Sequence, residues 1–409
     1  MNTNNKKNWQ KTKIIHLIQK VIDNRGKSPP LSLNGKELIE IKSIENAKFP
    51  KYNLIKKFIS NEIYNSWFRN GHPEKGDILV STVGSVGEFA IMNENRGCIA
   101  QNIIAIRPKK NVNSNYLYYT LKSNSIKKYI NSILMGAVQP SLKVPEFLDI
   151  DLYIPHIKEQ EKISSILSSV DNLIEKTKSQ INKLKEIYQS LLNNLLSNGI
   201  TLKEFEDSEL GKIPKGWKIK TLKELGKCIR GLTYSPKDIS DKGLLVLRSS
   251  NIKDNEISLE DKVYVNLKIE KEYLTRISDI LICVRNGSRN LIGKSAIINF
   301  NYENFTHGAF MTIYRSKYNN FLKYLFKSNQ FYKYVSRDLG ATINSINNSN
   351  LLKYKFAIPT EKEQQEIINI FSSIDNQIVI KKKKLIKYKM LLKSLMEDFF
   401  TGKIRLSIN

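Results

Sequence analysis

From Lys158 to Ser197 apolar residues return every seven positions. Ile163, Val170, Leu184 and Leu191 hold one heptad site with Thr177, and Leu167, Ile174, Ile181, Tyr188 and Leu195 hold the site four residues later. Ile166, Leu173 and Ile187 extend the stripe. A second stretch near the C-terminus repeats the pattern, with Ile367, Ile374, Lys381, Tyr388 and Leu395 at the first site and Phe371, Ile378, Leu385, Leu392 and Phe399 at the second. A stripe sustained over this length predicts a coiled-coil seam. The two helices are each other's natural partners, as an antiparallel hairpin interrupted by a globular insertion. About 40 residues at ~1.5 Å each give a rod of ~60 Å. The seam turns polar at Thr177 with Gln180 and at Lys381 with Lys384, where it either fixes register or opens to solvent or another protein.

The two helical stretches belong to a longer repeat. IPHIKEQEKISSILSSVDNLIEK begins at Ile154 and IPTEKEQQEIINIFSSIDNQIVI at Ile358, an offset of 204. The match extends upstream, where GDILVSTVGSVGEFAIM (76–92) aligns with SDILICVRNGSRNLIGKSAII (278–298). Each reads as a strand, a glycine turn and a second strand. Helices are expected at Ser114–Lys122 and Asn320–Lys327, their aromatics serving the core rather than stacking on bases. The fold class is α+β: two similar globular domains, 1–153 and 205–357, separated by helical regions 154–204 and 358–409 in a pseudo-twofold repeat.

The turn after Val284 could pass for a nucleotide-binding loop, but Gly287 and Gly293 enclose five residues rather than the four that curl around a phosphate. A strand rather than a helix follows, and the first copy has Glu88 where Lys294 stands. The stretch is therefore a turn within a repeated β domain. Charge adds a second clue. Of the net +27, each globular segment carries +11, the central helix +1 and the last segment +4. Equal excess on two domains implies a polyanionic partner, with nucleic acid favoured over membrane because no basic amphipathic helix carries the excess. The polar N-terminus and the absence of a long apolar run imply a cytoplasmic protein. Three cysteines without a CxxC and four scattered histidines offer no readable zinc site.

Catalytic signatures are missing. The sole Pro-Pro, Pro29–Pro30, lacks the flanking amide or acid and aromatic of an adenine methyltransferase motif. We find no nuclease-like carboxylate pair with a lysine and no Ser/His/Asp arrangement.

Taken with the two IPxxxEQxxI starts, the IPKGW segment ending at Trp217 and the two strand-turn-strand elements, this organisation resembles the DNA specificity subunit of type I restriction-modification systems over nearly all of the chain. The first half departs from that pattern in lacking IPxGW and in reading STVGSVG where an arginine-containing loop is common. The resemblance implies two target-recognition domains, each reading one half of an asymmetric bipartite site in double-stranded DNA. It implies helices that dock two methyltransferase subunits, with restriction and translocase subunits joining. No cofactor is expected on this chain; S-adenosylmethionine, ATP and magnesium would belong to the partners. A specificity subunit of a type IIB or phage-exclusion system, or a coiled-coil RNA-binding scaffold, are the alternatives. Candidate base readers are loop residues. Arg285, Asn286, Ser288 and Arg289 combine donors suited to guanine with an amide suited to adenine, and Ser81, Thr82 and Ser85 take the same place in the first half. Arg25 and Lys27, with Arg230 and Thr233, lie in the first glycine loop of each half; Gln139, Ser141, Asn344 and Ser345 precede each long helix. An ordinary turn role stays open for each.

Overall fold

The computed structural model describes residues 9–134, 140–200, 204–300, 304–341 and 344–407. Two units emerge: Met1–Ser179 with Lys382–Asn409, and Gln180–Lys381. Each joins one globular half to part of both long helices.

In the first unit a four-stranded antiparallel sheet runs β1 (Ile18–Ile22), β4 (Ile103–Pro108), β2 (Ile78–Ser81) and β3 (Phe89–Ile91) in spatial order. Its central strands read as unbroken apolar runs because both faces are covered. Alternate residues go to opposite sides. Ile78, Val80, Ile104 and Ile106 meet Tyr116, Leu117 and the helix residues Ile163 and Leu167. Leu79, Ala90 and Ala105 instead meet Ile39 and Ile99 of a second sheet. The second unit repeats the layering with β5 (Lys227–Arg230), β8 (Met311–Arg315), β6 (Ile280–Cys283) and β7 (Ser295–Ile297). There Ile280 and Ile282 face the helices, and Leu281 and Cys283 face Leu245 and Leu247. The helix Ser114–Leu121 buries Tyr116, Tyr118 and Tyr119, so these aromatics are core.

A buried ion pair pins each sheet. Asp77, just before β2, accepts from Arg107 of β4 at 3.0 and 2.9 Å. Asp279, just before β6, accepts from Arg315 of β8 at 2.8 and 2.7 Å. Each carboxylate also takes a backbone N–H three residues upstream, from Glu74 and Arg276. The desolvated charges are thus compensated from several directions.

The long helices span α1 (Ile157–Asn198) and α2 (Glu361–Phe400). They pack antiparallel. In the second unit the Lys381 ammonium donates to Gln180 Oε1 at 2.9 Å, while the rings of Tyr188 and Phe371 lie 5.0 Å apart. In the first unit Leu392, Leu395 and Phe399 of α2 join the core that holds Ile163 and Leu167 of α1. The expected seam residues are buried or half-buried throughout. Gln180 and Lys384 are exposed and Gln180 bonds to Lys381 at the surface, so the seam opens to solvent at this step, while Thr177 is buried and donates to the Leu173 carbonyl at 2.6 Å. One expectation is corrected. Ile166, Leu173 and Ile187 do not widen the seam but are about two-fifths exposed. A partner helix and one globular layer cover only part of a helix circumference, and these residues lie outside it.

Matched glutamates close the helix starts. Glu159 accepts from Arg405, beyond the end of α2, at 2.8 and 3.0 Å, and this pair holds the Arg405 guanidinium pKa above its usual value. Glu363, 204 residues on, accepts from Trp217 Nε1 at 2.9 Å and from the Ile200 amide beyond α1 at 3.2 Å. The IPKGW tryptophan is therefore structural.

Removing one partner of a buried pair leaves the other charge without compensation. Arg315→Ala should cost about 3–5 kcal/mol in denaturant unfolding, and a matched apolar replacement of both Asp279 and Arg315 should cost much less.

Candidate nucleic-acid interface

In the second unit four chain segments converge beyond the end of β6. The Phe310 carbonyl accepts from the Val284 and Arg285 amides at 3.0 and 3.1 Å, and the Val284 carbonyl accepts from the Ile346 amide at 2.7 Å. Arg285 and Ser345 form an antiparallel bridge. Leu232 bridges Gly308, which brings in the loop after β5. Gly231 is required at that crossing: a Cβ there would lie 2.1 Å from the Gly308 carbonyl oxygen.

The turn itself is braced from below. Ile292 is buried, and Gly293 adopts a φ of 87° with its Cα against Phe331, Tyr332 and Val335. Asn286 donates to Ser249 Oγ at 3.0 Å and accepts the Ser288 amide at 3.0 Å. Arg289 donates to the Leu339 carbonyl, and Asn344 approaches the Gly287 carbonyl at 3.5 Å. The Arg285 guanidinium lies 5.6 Å from the centre of the Phe310 ring. Arg230, Thr233, Arg285, Ser288 and Arg289 are exposed, with Asn286, Asn344 and Ser345 half-buried. Three stretches nominated separately in the sequence, at 230–233, 285–289 and 344–345, thus come together.

The first unit repeats the junction. Thr82 donates its amide to the Asn102 carbonyl at 2.8 Å, Leu142 donates to the Thr82 carbonyl at 2.8 Å, and Val83 bridges Ser141. This pattern equates Val83 with Arg285 and corrects the equivalence expected for Ser81 and Thr82. Those two match Cys283 and Val284, at the buried strand end. The Ser81 hydroxyl donates to the Ser85 carbonyl at 2.5 Å and receives the Glu88 amide at 2.8 Å, while the Thr82 hydroxyl reaches the Asn102 carbonyl at 3.3 Å. Both brace the turn from inside; Ser85 and Ser141 are exposed. Gln139 lies outside the described residues. Arg25 and Lys27 are exposed, but Arg25 is held by Asp23 in two bonds of 2.8 and 2.7 Å, which lowers the carboxyl pKa. Asn24 anchors this loop to the Asn70–Gly71 segment.

Sequence reasoning passed over Phe310 and Ser249. The signal lay in the residue just before β8, which differs in kind from Asn102 before β4.

Among the described residues no group of three or more His, Cys, Asp and Glu is placed to hold a metal, and no helix is long and apolar enough to cross a membrane. Burial pushes the Cys98 and Cys228 thiols up to about 12 and Cys283 to about 11, so they are poor nucleophiles at neutral pH. The exposed donors on braced turns instead suit contacts to nucleic-acid base edges and phosphates.

The type I restriction modification DNA specificity domain matches this sequence twice, over residues 6–186 and 214–389. The chain belongs to that family. It is 27% identical to the type I restriction enzyme MjaVIII specificity subunit of Methanocaldococcus jannaschii over 347 residues, covering 81% of this chain and 80% of the relative. It is also 27% identical to the StySPI specificity subunit of Salmonella potsdam, over 73% of this chain and 67% of that protein. The fold matches the crystal structure of the type I restriction-modification S subunit from M. genitalium with a TM-score of 0.58 at 16% identity, covering 100% of this chain and 98% of that one.

One buried group beneath the junction is sensitive to acid. His307 has no exposed surface and donates through Nε2 to the Ile229 carbonyl at 2.9 Å, and burial pushes its pKa from 6.5 down to about 4. The fold therefore favours the neutral ring. Its contribution is complete above pH 6.5 and fades as pH falls toward 4, by about 3 kcal/mol in all. His307→Gln should flatten the stability profile between pH 6.5 and 4, measured as denaturation midpoints across that range.

Proposed function

We propose that this chain is the non-catalytic DNA specificity subunit of a type I restriction-modification complex, each unit reading one part of a split, asymmetric duplex site. The observation that carries the reading is the three-segment junction, in which two main-chain bonds and a bridge recur in both units while the exposed side chains differ. Such a device keeps the scaffold constant and changes the pattern of donors offered to base edges. The excess of +11 on each globular segment supports phosphate contacts from both, which set affinity without reporting sequence.

In the second unit Arg285 is the principal reader, with Asn286, Ser288, Arg289, Arg230, Thr233, Asn344 and Ser345 around it. In the first unit Ser85 and Ser141 are the exposed candidates, and Arg25 and Lys27 supply phosphate contacts. Ser81 and Thr82 shape the turn that carries Ser85. The two methyltransferase subunits dock on the helices, where the exposed stripe of Ile166, Leu173 and Ile187 on α1 and the exposed Ile386 and Met390 on α2 supply apolar surface that a partner would cover. Restriction subunits complete the complex in the cytoplasm. S-adenosylmethionine, ATP and magnesium are bound by those partners.

Arg285→Ala should relax base preference in one half-site by about 1–3 kcal/mol and leave the other half unchanged. Competition binding with duplexes altered in one half at a time reads this directly. Equal weakening on every sequence would make Arg285 a phosphate contact and remove it from the readers.

A further inference from the structure

Phe310 is 59% exposed, although its backbone is among the most tightly held at the junction. Its carbonyl accepts two amides, and the next residue, Met311, donates to the Gly308 carbonyl at 2.8 Å. The Phe310 ring stands beside the Arg285 guanidinium at 5.6 Å, within the range at which a cation and an aromatic face attract. Comparison with the first unit is informative. Thr82 bonds to Asn102 as Val284 bonds to Phe310, and Val83 bridges Ser141 as Arg285 bridges Ser345. The Arg285–Phe310 pair is thus replaced by Val83 and Asn102 at matching places, with Asn102 accepting one backbone amide where Phe310 accepts two. A pair serving the fold would be expected to keep its character in both copies. This pair changes at both positions, where it meets solvent.

We propose that Phe310 is a specificity-determining residue of the second unit. Its ring holds the Arg285 guanidinium in a fixed plane, and its free edge packs on the 5-methyl group of a thymine next to the guanine that Arg285 reads. Thymine alone presents a methyl group in the major groove, and phenylalanine is among the side chains suited to touch it. An arginine held flat loses less freedom when its fork engages two acceptors. The inference rests on the reading of this face as a DNA interface.

The test uses the full chain and duplexes bearing its selected target, with each thymine of the second unit's half-site replaced in turn by deoxyuridine, which lacks only the methyl. One replacement should weaken wild-type binding about fourfold, the effect of losing one buried methyl. Phe310→Ala should bind thymine and uracil duplexes equally. Phe310→Leu, apolar but without a flat face, should keep the thymine preference and loosen the preference for guanine. The proposal is overturned if no thymine adjoins the guanine, if each replacement costs wild type and Phe310→Ala the same, or if Phe310→Ala weakens binding to every sequence alike. Failure of the wild-type chain to discriminate among any duplexes would instead sink the reading of the face itself.

Discussion

Everything proposed for this protein depends on how the backbone is satisfied at the end of one strand. Where β6 stops, its peptide groups still need partners, since a buried amide or carbonyl left unpaired is costly. Main-chain atoms from two remote segments provide them, through Phe310 and Ile346 in one unit and Asn102 and Leu142 in the other. Because the bonds are between backbone groups, they do not depend on which side chains stand at Arg285 or Val83. The same fold can carry different readers.

The layers beneath make that junction rigid. Alternate residues of each central strand enter separate cores, one shared with the long helices and one with a second sheet. The Asp77–Arg107 and Asp279–Arg315 pairs tie the start of the strand that leads into each turn to β4 and β8, the strands that begin beside the junction. In the second unit Gly293 permits contact with Phe331 and Val335 that any side chain would disturb. A loop braced in this way holds its exposed groups near a productive geometry and limits the entropy lost on binding.

Much of this was legible in the sequence because it is written in periods. The offset between Ile154 and Ile358 exposes the duplication, and the heptads from Ile163 and Ile367 mark helices whose ends the structure places within a residue or so at Ile157 and Asn198. Burial at the turn was not legible. Ser81 and Thr82 are small polar residues of the kind that line an interface, yet they lie inside, because the alternation of the strand runs on beyond its apolar residues. Ile166, Leu173 and Ile187 fit the helical stripe by spacing, but which side of a helix receives the globular layer is a tertiary matter. Phe310 escaped notice since an aromatic before a strand usually reads as core; its exposure in the folded chain reveals that it faces outward.

The most direct test is selection of bound duplexes from a random-sequence library by the full chain assembled with its methyltransferase subunits. The account predicts two short read segments of different sequence separated by unread positions, with Arg285→Ala altering one segment alone. A single continuous palindrome, or loss of both segments together, would contradict it.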